Sequence, residues 1–270
     1  MRTTLSSLPT ALAILASPLS AEGAAEGADD RPAIIVTGQR GELAAEQAAA
    51  RTPGGADVVR HEEYADKSIV SLRDVLAFSP GVYLQPRYGQ EVRISIRGSG
   101  LSRGFHMRGL TLLQDGIPIN LADDNGDFQE LEPIFFDHLA VYRGANALRF
   151  GSGTLGGAVN GITPTGRTAE GLYLRADIGA FDSMRGLVAA GTARERVDAW
   201  AAISADRSDG DRAHAARRSV RFHGNAGLRL SDVVTNRFYA SVNNVNQEIP
   251  GALTLQQALT SPRMANPANV

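Results

Sequence analysis

Between residues 171 and 247 the chain repeats one pattern five times: about ten residues in which apolar and polar side chains alternate, then a break. "GLYLRADIGAF" sets Leu172, Leu174, Ala176 and Ile178 against Tyr173, Arg175, Asp177 and Gly179. "SVRFHGNAGLRLS" sets Val220, Phe222, Gly224, Ala226, Leu228 and Leu230 against Ser219, Arg221, His223, Asn225, Gly227 and Arg229. Segments near 184–192, 196–205 and 236–246 fit the same length and period. A period of two belongs to strands whose two faces meet different surroundings. Five such strands of this length in succession are the signature of a transmembrane β-barrel, with a soluble β-sandwich as the alternative because each segment alone is a weak signal. The connections "ARER" and "SDVVT" are short, "DRSDGDRAHAARR" is long and charged, and the tail "EIPGALTLQQALTSPRMANPANV" has no period. Alternating short turns and long loops is the habit of outer-membrane barrels. Five strands fall short of the smallest usual barrel, and an open edge cannot face lipid, so the chain is expected to be part of a longer protein.

The N-terminus fits that location. "MRTTLSSLPTALAILASPLSAEG" has an early arginine, an apolar stretch from Ala11 to Leu19 and small residues after it. That is the layout of a secretory signal, too short to span a bilayer, with a buried N-terminal helix as the alternative. Cleavage is expected between residues 20 and 25. Residues 22–56 read as a flexible periplasmic linker, Ala-, Gly- and Glu-rich, interrupted only by the β-branched run Ile34, Ile35 and Val36. That run is either a short edge strand or a tethered strand for addition to a partner's sheet. No cysteine is present, which excludes disulfides and thiolate chemistry, and a net charge of -2 supplies no field to attract nucleic acid.

Residues 57–165 read as a small mixed α and β domain. "SIVSLRDVLAFSPGV" puts Ile69, Leu72, Val75 and Leu76 on one helical face, with Ser68 as N-cap and Pro80-Gly81 as the stop. "EVRISIRG" alternates, "LTLLQDGIPIN" is a hairpin around Asp115-Gly116, and "DHLAVYRG" is a further strand. It leads into "YRGANALRFGSGTLGGAVNGIT", with six glycines between Gly144 and Gly161. This run lacks the Gly-Lys-Ser/Thr ending of a phosphate loop and the strand, helix and acid context of a dinucleotide site. "HEEY" at 61–64 lacks the second histidine of a zincin, and no G-x-S-x-G occurs, so no catalytic residue is assigned and no enzyme is expected.

Taken together, "IIVTG", "SPGVYLQ", "ISIRGSG", "MRGLTLLQDGIPI" and "VYRGANALRFGSGTLGGAVNGIT" resemble, in order and spacing, the TonB box and plug of a TonB-dependent outer-membrane receptor. "DGDRAHAARRSVRFHGNAGL" and "NNVNQEIPGALT" resemble the first barrel strands and loops of its ferric dicitrate and metallophore branch. The resemblance implies a signal peptide at 1–21, a linker with the TonB box at 33–38, an α+β plug at 57–165 and, from 166 to 270, the first antiparallel strands of a barrel of about twenty-two. It implies uptake of a ferric siderophore, ferric dicitrate or related metallophore, energised through the inner-membrane TonB complex, without a resident cofactor or metal. The alternative is an outer-membrane binding protein that does not transport, or an inactive truncated receptor fragment. Only about ten residues separate the expected cleavage site from Ile34, too few for an additional signalling domain.

The same resemblance implies roles for particular residues. Ile34, Ile35, Val36, Thr37 and Gly38 would pair with the TonB C-terminal domain. Arg97 and Arg143 would latch the plug to barrel carboxylates beyond Val270. Gly144, Gly156 and Gly157 would allow close packing against the barrel wall, with Gly156-Gly157 starting the last plug strand. Arg103, His106, Asp123, Asp124, Asp127 and Gln129 stand in loops expected to face the ligand. Arginine suits a carboxylate ligand, whereas three aspartates repel a strongly anionic one, so a mixed-charge metallophore fits the set best. A monomer in contact with outer-membrane lipid is the expected assembly.

Overall fold

The structure, a computed structural model, describes residues 39–52, 55–99, 109–123, 125–126 and 128–269. The expected signal segment and TonB box lie outside them. The first element is a helix, α1 (Gln39–Ala50), where the sequence suggested flexible linker from Gly41 to Ala56. Alanine, leucine, glutamate and glutamine are the strongest helix formers, so low hydrophobicity here signals an exposed helix rather than a tether. Glu46 lies 3.4 Å from Arg60 at the end of the first strand, an ion pair that holds the helix beside that strand.

The region after α1 contains β1 (Ala56–Arg60), α2 (Leu72–Leu76), β2 (Val82–Pro86), β3 (Val92–Ile96), β4 (Leu110–Gln114), β5 (Ile117–Pro118), β6 (His138–Arg143) and β7 (Gly157–Ile162). One mixed sheet runs β1-β6-β7-β4-β5, and β2 pairs with β3 as a separate hairpin. Only β4 and β7 are parallel; the other pairs are antiparallel. The β4–β5 turn has positive φ at both Asp115 (54°) and Gly116 (80°), as a two-residue hairpin requires. Leu72, Leu76, Ile94, Leu112, Leu139 and Val159 bring the apolar sides of α2, the hairpin and the sheet into one core.

Helix α2 is shorter than its apolar pattern suggests, and its cap is Ser71 rather than Ser68. The Ser71 hydroxyl accepts from the Arg73 N–H at 3.3 Å, while Asp74 Oδ2 accepts from the Ser71 N–H at 2.9 Å. Asp74 completes a reciprocal box that Ser68 has no partner to make. Ser71→Ala is expected to cost about 1 kcal/mol of stability, read by denaturant titration of the intact protein.

The second half is an antiparallel meander of β8 (Gly171–Gly179), β9 (Ser183–Ala193), β10 (Val197–Ser208), β11 (Arg217–Arg229) and β12 (Thr235–Gln247). All five expected strands are present, and the sheet remains open, with β8 and β12 at its edges. β10 and β11 extend farther than their apolar alternation. Asp206, Arg207, Arg217 and Arg218, expected in a long charged loop, are strand residues, which shortens that connection to 209–216. Charged side chains continue the in-and-out period beyond the apolar band, where a hydrophobicity pattern no longer registers it. The aperiodic tail contains a short helix, α3 (Leu255–Thr260), capped by Thr254.

Burial in this meander runs opposite to that of a water-soluble sheet. Arg221 is 1% exposed, whereas Ile178 is 85%, Leu174 64% and Phe238 64% exposed on the other face. Ser219, His223 and Asn225 are buried with Arg221 against the mixed region. Apolar side chains outward and polar side chains inward are the arrangement of a membrane barrel wall, not of a β-sandwich.

Candidate functional site

The polar inner face of the meander meets the mixed region through two sets of charged side chains. In the first, Glu132 leads a 3₁₀ turn, Pro133–Phe135, and is 2% exposed. Its Oε1 is 2.6 Å from Arg185 Nη2 on β9, and its Oε2 is 3.1 Å from Arg221 Nη1 on β11. Asp206 on β10 continues the chain of charges, 3.3 Å from Arg221 and 2.7 Å from Arg217. Arg221 also donates to the Gln129 carbonyl at 3.2 Å and to the Gln90 side chain. Buried charges persist only when paired and hydrogen-bonded, so Glu132 ties the mixed region to strands β9 and β11. Arg175 and Arg185 also donate to the carbonyls of Ala65, Lys67 and Ile69, gripping the segment before α2.

The second set surrounds the β4–β5 turn and the chain that leads into β8. His223 on β11 lies 3.3 Å from Asp115 Oδ2 and 2.7 Å from the Gln114 amide. Asp115 accepts from the Thr163 N–H at 2.8 Å. Asn225 donates to the Pro164 carbonyl at 2.8 Å, and Arg237 joins Asn225 at 2.6 Å to Asp198 at 2.8 Å. Between the two sets, Leu187, Ala189, Trp200 and Ala202 of β9 and β10 join the apolar core of the mixed region, with the Trp200 ring 6.4 Å from that of Phe135, so the interface is polar at two places around an apolar patch. Among the described residues no group of three or more His, Asp or Glu could hold a metal ion.

The residues singled out from sequence are placed unevenly. Ile34 to Gly38, Arg103, His106, Asp124 and Asp127 lie outside the described residues. Asp123 is exposed and accepts from the Asn125 N–H at 3.1 Å, closing its own loop. Gln129 meets Arg221 through its carbonyl. Arg97 and Arg143 are brought together: a Cβ on Gly55 would sit 3.2 Å from Arg143 Nη1 and 3.8 Å from Arg97 Nη2. The acid beside Arg143 is Asp57 of β1, at 3.4 Å, itself bound by the Ser79 hydroxyl at 2.6 Å.

Gly144 has φ 62° and lies beside the Arg97 guanidinium, where a Cβ would come within 2.8 Å. Gly157 opens β7 as expected. The atoms nearest a Cβ on Gly156 or Gly157 belong to Ser99, Leu110, Tyr142 and Ile96. Among the described residues these glycines pack within the mixed region, because β7 runs between β6 and β4.

Sequence reading missed Glu132, Arg185, Asp206 and Arg221, although the inward register of Arg221 was already written in the alternation; Asp206 fell in the expected loop. It also missed the turn at 87–91, where Arg87 pairs with Glu91 and Gly89 lies against the Gln247 side chain at the end of β12. This turn therefore reaches the end of the sheet that carries the long 209–216 connection.

Comparison with known proteins agrees with this geometry. Residues 48–158 match the family model of the TonB-dependent Receptor Plug Domain, starting inside α1. The vitamin B12 transporter BtuB of Vibrio cholerae is 27% identical over 191 residues, covering 70% of this chain and 30% of that protein. The ferric-pyoverdine M114 receptor PbuA of Pseudomonas sp. is 27% identical over 144 residues, 52% of this chain and 16% of that one. The chain thus spans less than a third of the length of these relatives. Among solved structures, the unliganded ferric citrate transporter FecA superposes with a TM-score of 0.66 at 21% identity, covering 82% of this chain and 35% of that one. The ferric enterobactin receptor PfeA of Pseudomonas aeruginosa gives 0.57 at 20% identity, over 74% and 34%. These relatives are transporters and receptors rather than enzymes. Residues 48–158 thus carry the plug domain of TonB-dependent receptors, and with an inside-out antiparallel sheet folded on that plug the chain as a whole is similar to such receptors.

Proposed function

We propose that the intact protein carries out TonB-dependent uptake of a metal chelate across the outer membrane. The carrying observation is the inverted burial of the β8–β12 sheet, with Arg221 sealed against the plug and Ile178 facing out. A wall built this way needs lipid on one side and a filled polar lumen on the other. Ile34 to Gly38 would add as a strand to the TonB C-terminal domain, and tension along the segment before the plug would shift part of it. The plug would face the periplasm at its N-terminal side. Relatives named for vitamin B12 and for ferric pyoverdine support a metal-bearing ligand. Arg103, His106, Asp123, Asp124, Asp127 and Gln129 would contact it, and their mixture of charges favours a metallophore carrying both amines and carboxylates. The turn at 87–91 joins this set.

Arg97 and Arg143 would complete a plug latch. Nε of Arg143 is buried without a hydrogen-bond partner among the described residues, and its Nη2 has the Asp57 carboxylate at 3.4 Å, which leaves Nε for a further carboxylate from elsewhere in the barrel. Deleting residues 34–38 from the intact protein should abolish uptake of a radiolabelled chelate in a receptor-deficient strain and leave surface binding unchanged. Uptake that survives the deletion would refute energy coupling, whereas surface binding without uptake by the undeleted protein would favour a receptor that binds without transporting.

A further inference from the structure

We infer that Arg221, although sealed inside the wall, positions two plug segments that face the ligand, the turn at 87–91 and the loop that ends at Gln129. Among the described residues, the buried network joins the guanidiniums of Arg185, Arg217 and Arg221 to just two carboxylates, those of Glu132 and Asp206. Each acid has a nearer partner than Arg221. Arg185 is 2.6 Å from Glu132 and Arg217 is 2.7 Å from Asp206, whereas Arg221 stands 3.1 Å and 3.3 Å from the same two acids. Arg221 is therefore the surplus cation of the set, and a buried cation without an anion of its own needs dipolar oxygens.

The plug supplies those oxygens from its ligand side. Nη1 of Arg221 donates to Glu132, Asp206 and the Ser219 hydroxyl. Nη2 donates instead to the Gln90 side-chain oxygen and, at 3.2 Å, to the Gln129 carbonyl. Gln90 is 5% exposed, so water has little access to replace this contact. It belongs to a turn that closes on itself, with the Glu91 N–H donating to the Tyr88 carbonyl at 2.9 Å and the Arg87 side chain paired with Glu91. A planar fork that holds both segments at once fixes their separation, which the point charge of a lysine does not do. Neutral contacts from the same wall assist: Asn243 donates to the Glu130 carbonyl at 3.5 Å, and Gln247 lies against Gly89. The surface offered to a ligand is thus set by a positioning residue that the ligand does not touch.

The inference rests on the reading that these segments contact the ligand. This chain has no cysteine, so spin labels on Tyr88→Cys and Glu130→Cys, with any cysteine after Val270 replaced by serine, report the separation of the two segments in the intact receptor by pulsed electron resonance. The background carrying both labels should give one narrow distance distribution. Arg221→Lys and Gln90→Leu should broaden it, while Gln90→Glu, which keeps the oxygen and adds an anion for the surplus cation, should keep it narrow. Hydrogen exchange across residues 131–143 should stay at the level of that background in all three, because Glu132 keeps Arg185 and Asp206 keeps Arg217. Ferric pyoverdine, the ligand in one relative's name, should bind about tenfold more weakly to Gln90→Leu than to Gln90→Glu. Equal distributions in the two Gln90 variants would overturn the positioning, as would broadening that appears only together with lost protection at 131–143. Measurable but equal affinity in those variants would overturn its bearing on the ligand. Distances as expected with no ferric pyoverdine bound by any of the proteins would remove that chelate from the ligand reading and leave the positioning standing.

Discussion

Glu132→Ala is expected to loosen the plug from its wall by about 3–5 kcal/mol, because it leaves Arg185 and Arg221 buried without their shared carboxylate. Arg221 would keep Asp206 at 3.3 Å, but Arg185 would keep only the Ile69 carbonyl. Nε of both arginines already lacks a hydrogen-bond partner among the described residues, so there is little capacity to absorb the loss. The measurement is hydrogen exchange and limited proteolysis of the intact receptor, followed across residues 131–143. Protection there should fall while β10 and β11 remain protected through their own ladder. Glu132→Gln separates charge from shape: it keeps the side chain's size and a hydrogen-bonding oxygen but no anion, and should lie between wild type and alanine. A cycle with Arg185→Ala should give a coupling of about 1–3 kcal/mol, as neighbours in one network do. Unchanged protection in Glu132→Ala would mean that the ionic contact is incidental to plug docking.

Gly157→Ala should be the most disruptive single-methyl change in the plug. At this position β7 pairs Gly157 with Arg143 of β6 and Leu110 of β4. An added Cβ would be driven into the Tyr142 carbonyl oxygen, and within 2.9 Å of Ile96 Cδ1. A backbone carbonyl in the middle of a sheet cannot rotate aside, so the strand must shift, at about 1–3 kcal/mol or more. Gly186→Ala on the outward face is the control, since a Cβ there meets nothing within 4 Å. Expression, heat-modifiable migration and chelate uptake of the intact receptor should fall for Gly157→Ala and stay level for Gly186→Ala. Equal behaviour of the two would show that the plug glycine is kept for something other than space.

These two residues illustrate unequal legibility. Gly157 stood out in a run of six glycines, and its need for room was readable, but which atoms crowd it was not. The sequence suggested the barrel wall; the order β6-β7-β4 makes the neighbours Tyr142 and Ile96. Glu132 was silent, a lone acid in "LEPIFF" with nothing local to mark its partners. Those partners lie 53 and 89 residues away, and only docking of the plug on the sheet brings them together. Helix α1 was misread for a different reason. Its propensity was visible, but the absence of an apolar stripe resembled a linker.

What the sequence by itself determined was the period of each element. Alternation settled that five strands follow a mixed α and β region, and the Asp115-Gly116 pair marked its hairpin, because these are local properties of backbone and side-chain placement. Which face of the strands was wet could not be decided by period, since alternation has the same form whether the polar side meets water or a plug. Tertiary structure decided that by burying Arg221 and exposing Ile178. A charge is buried only where distant chain supplies its partner, and that supply exists only after folding.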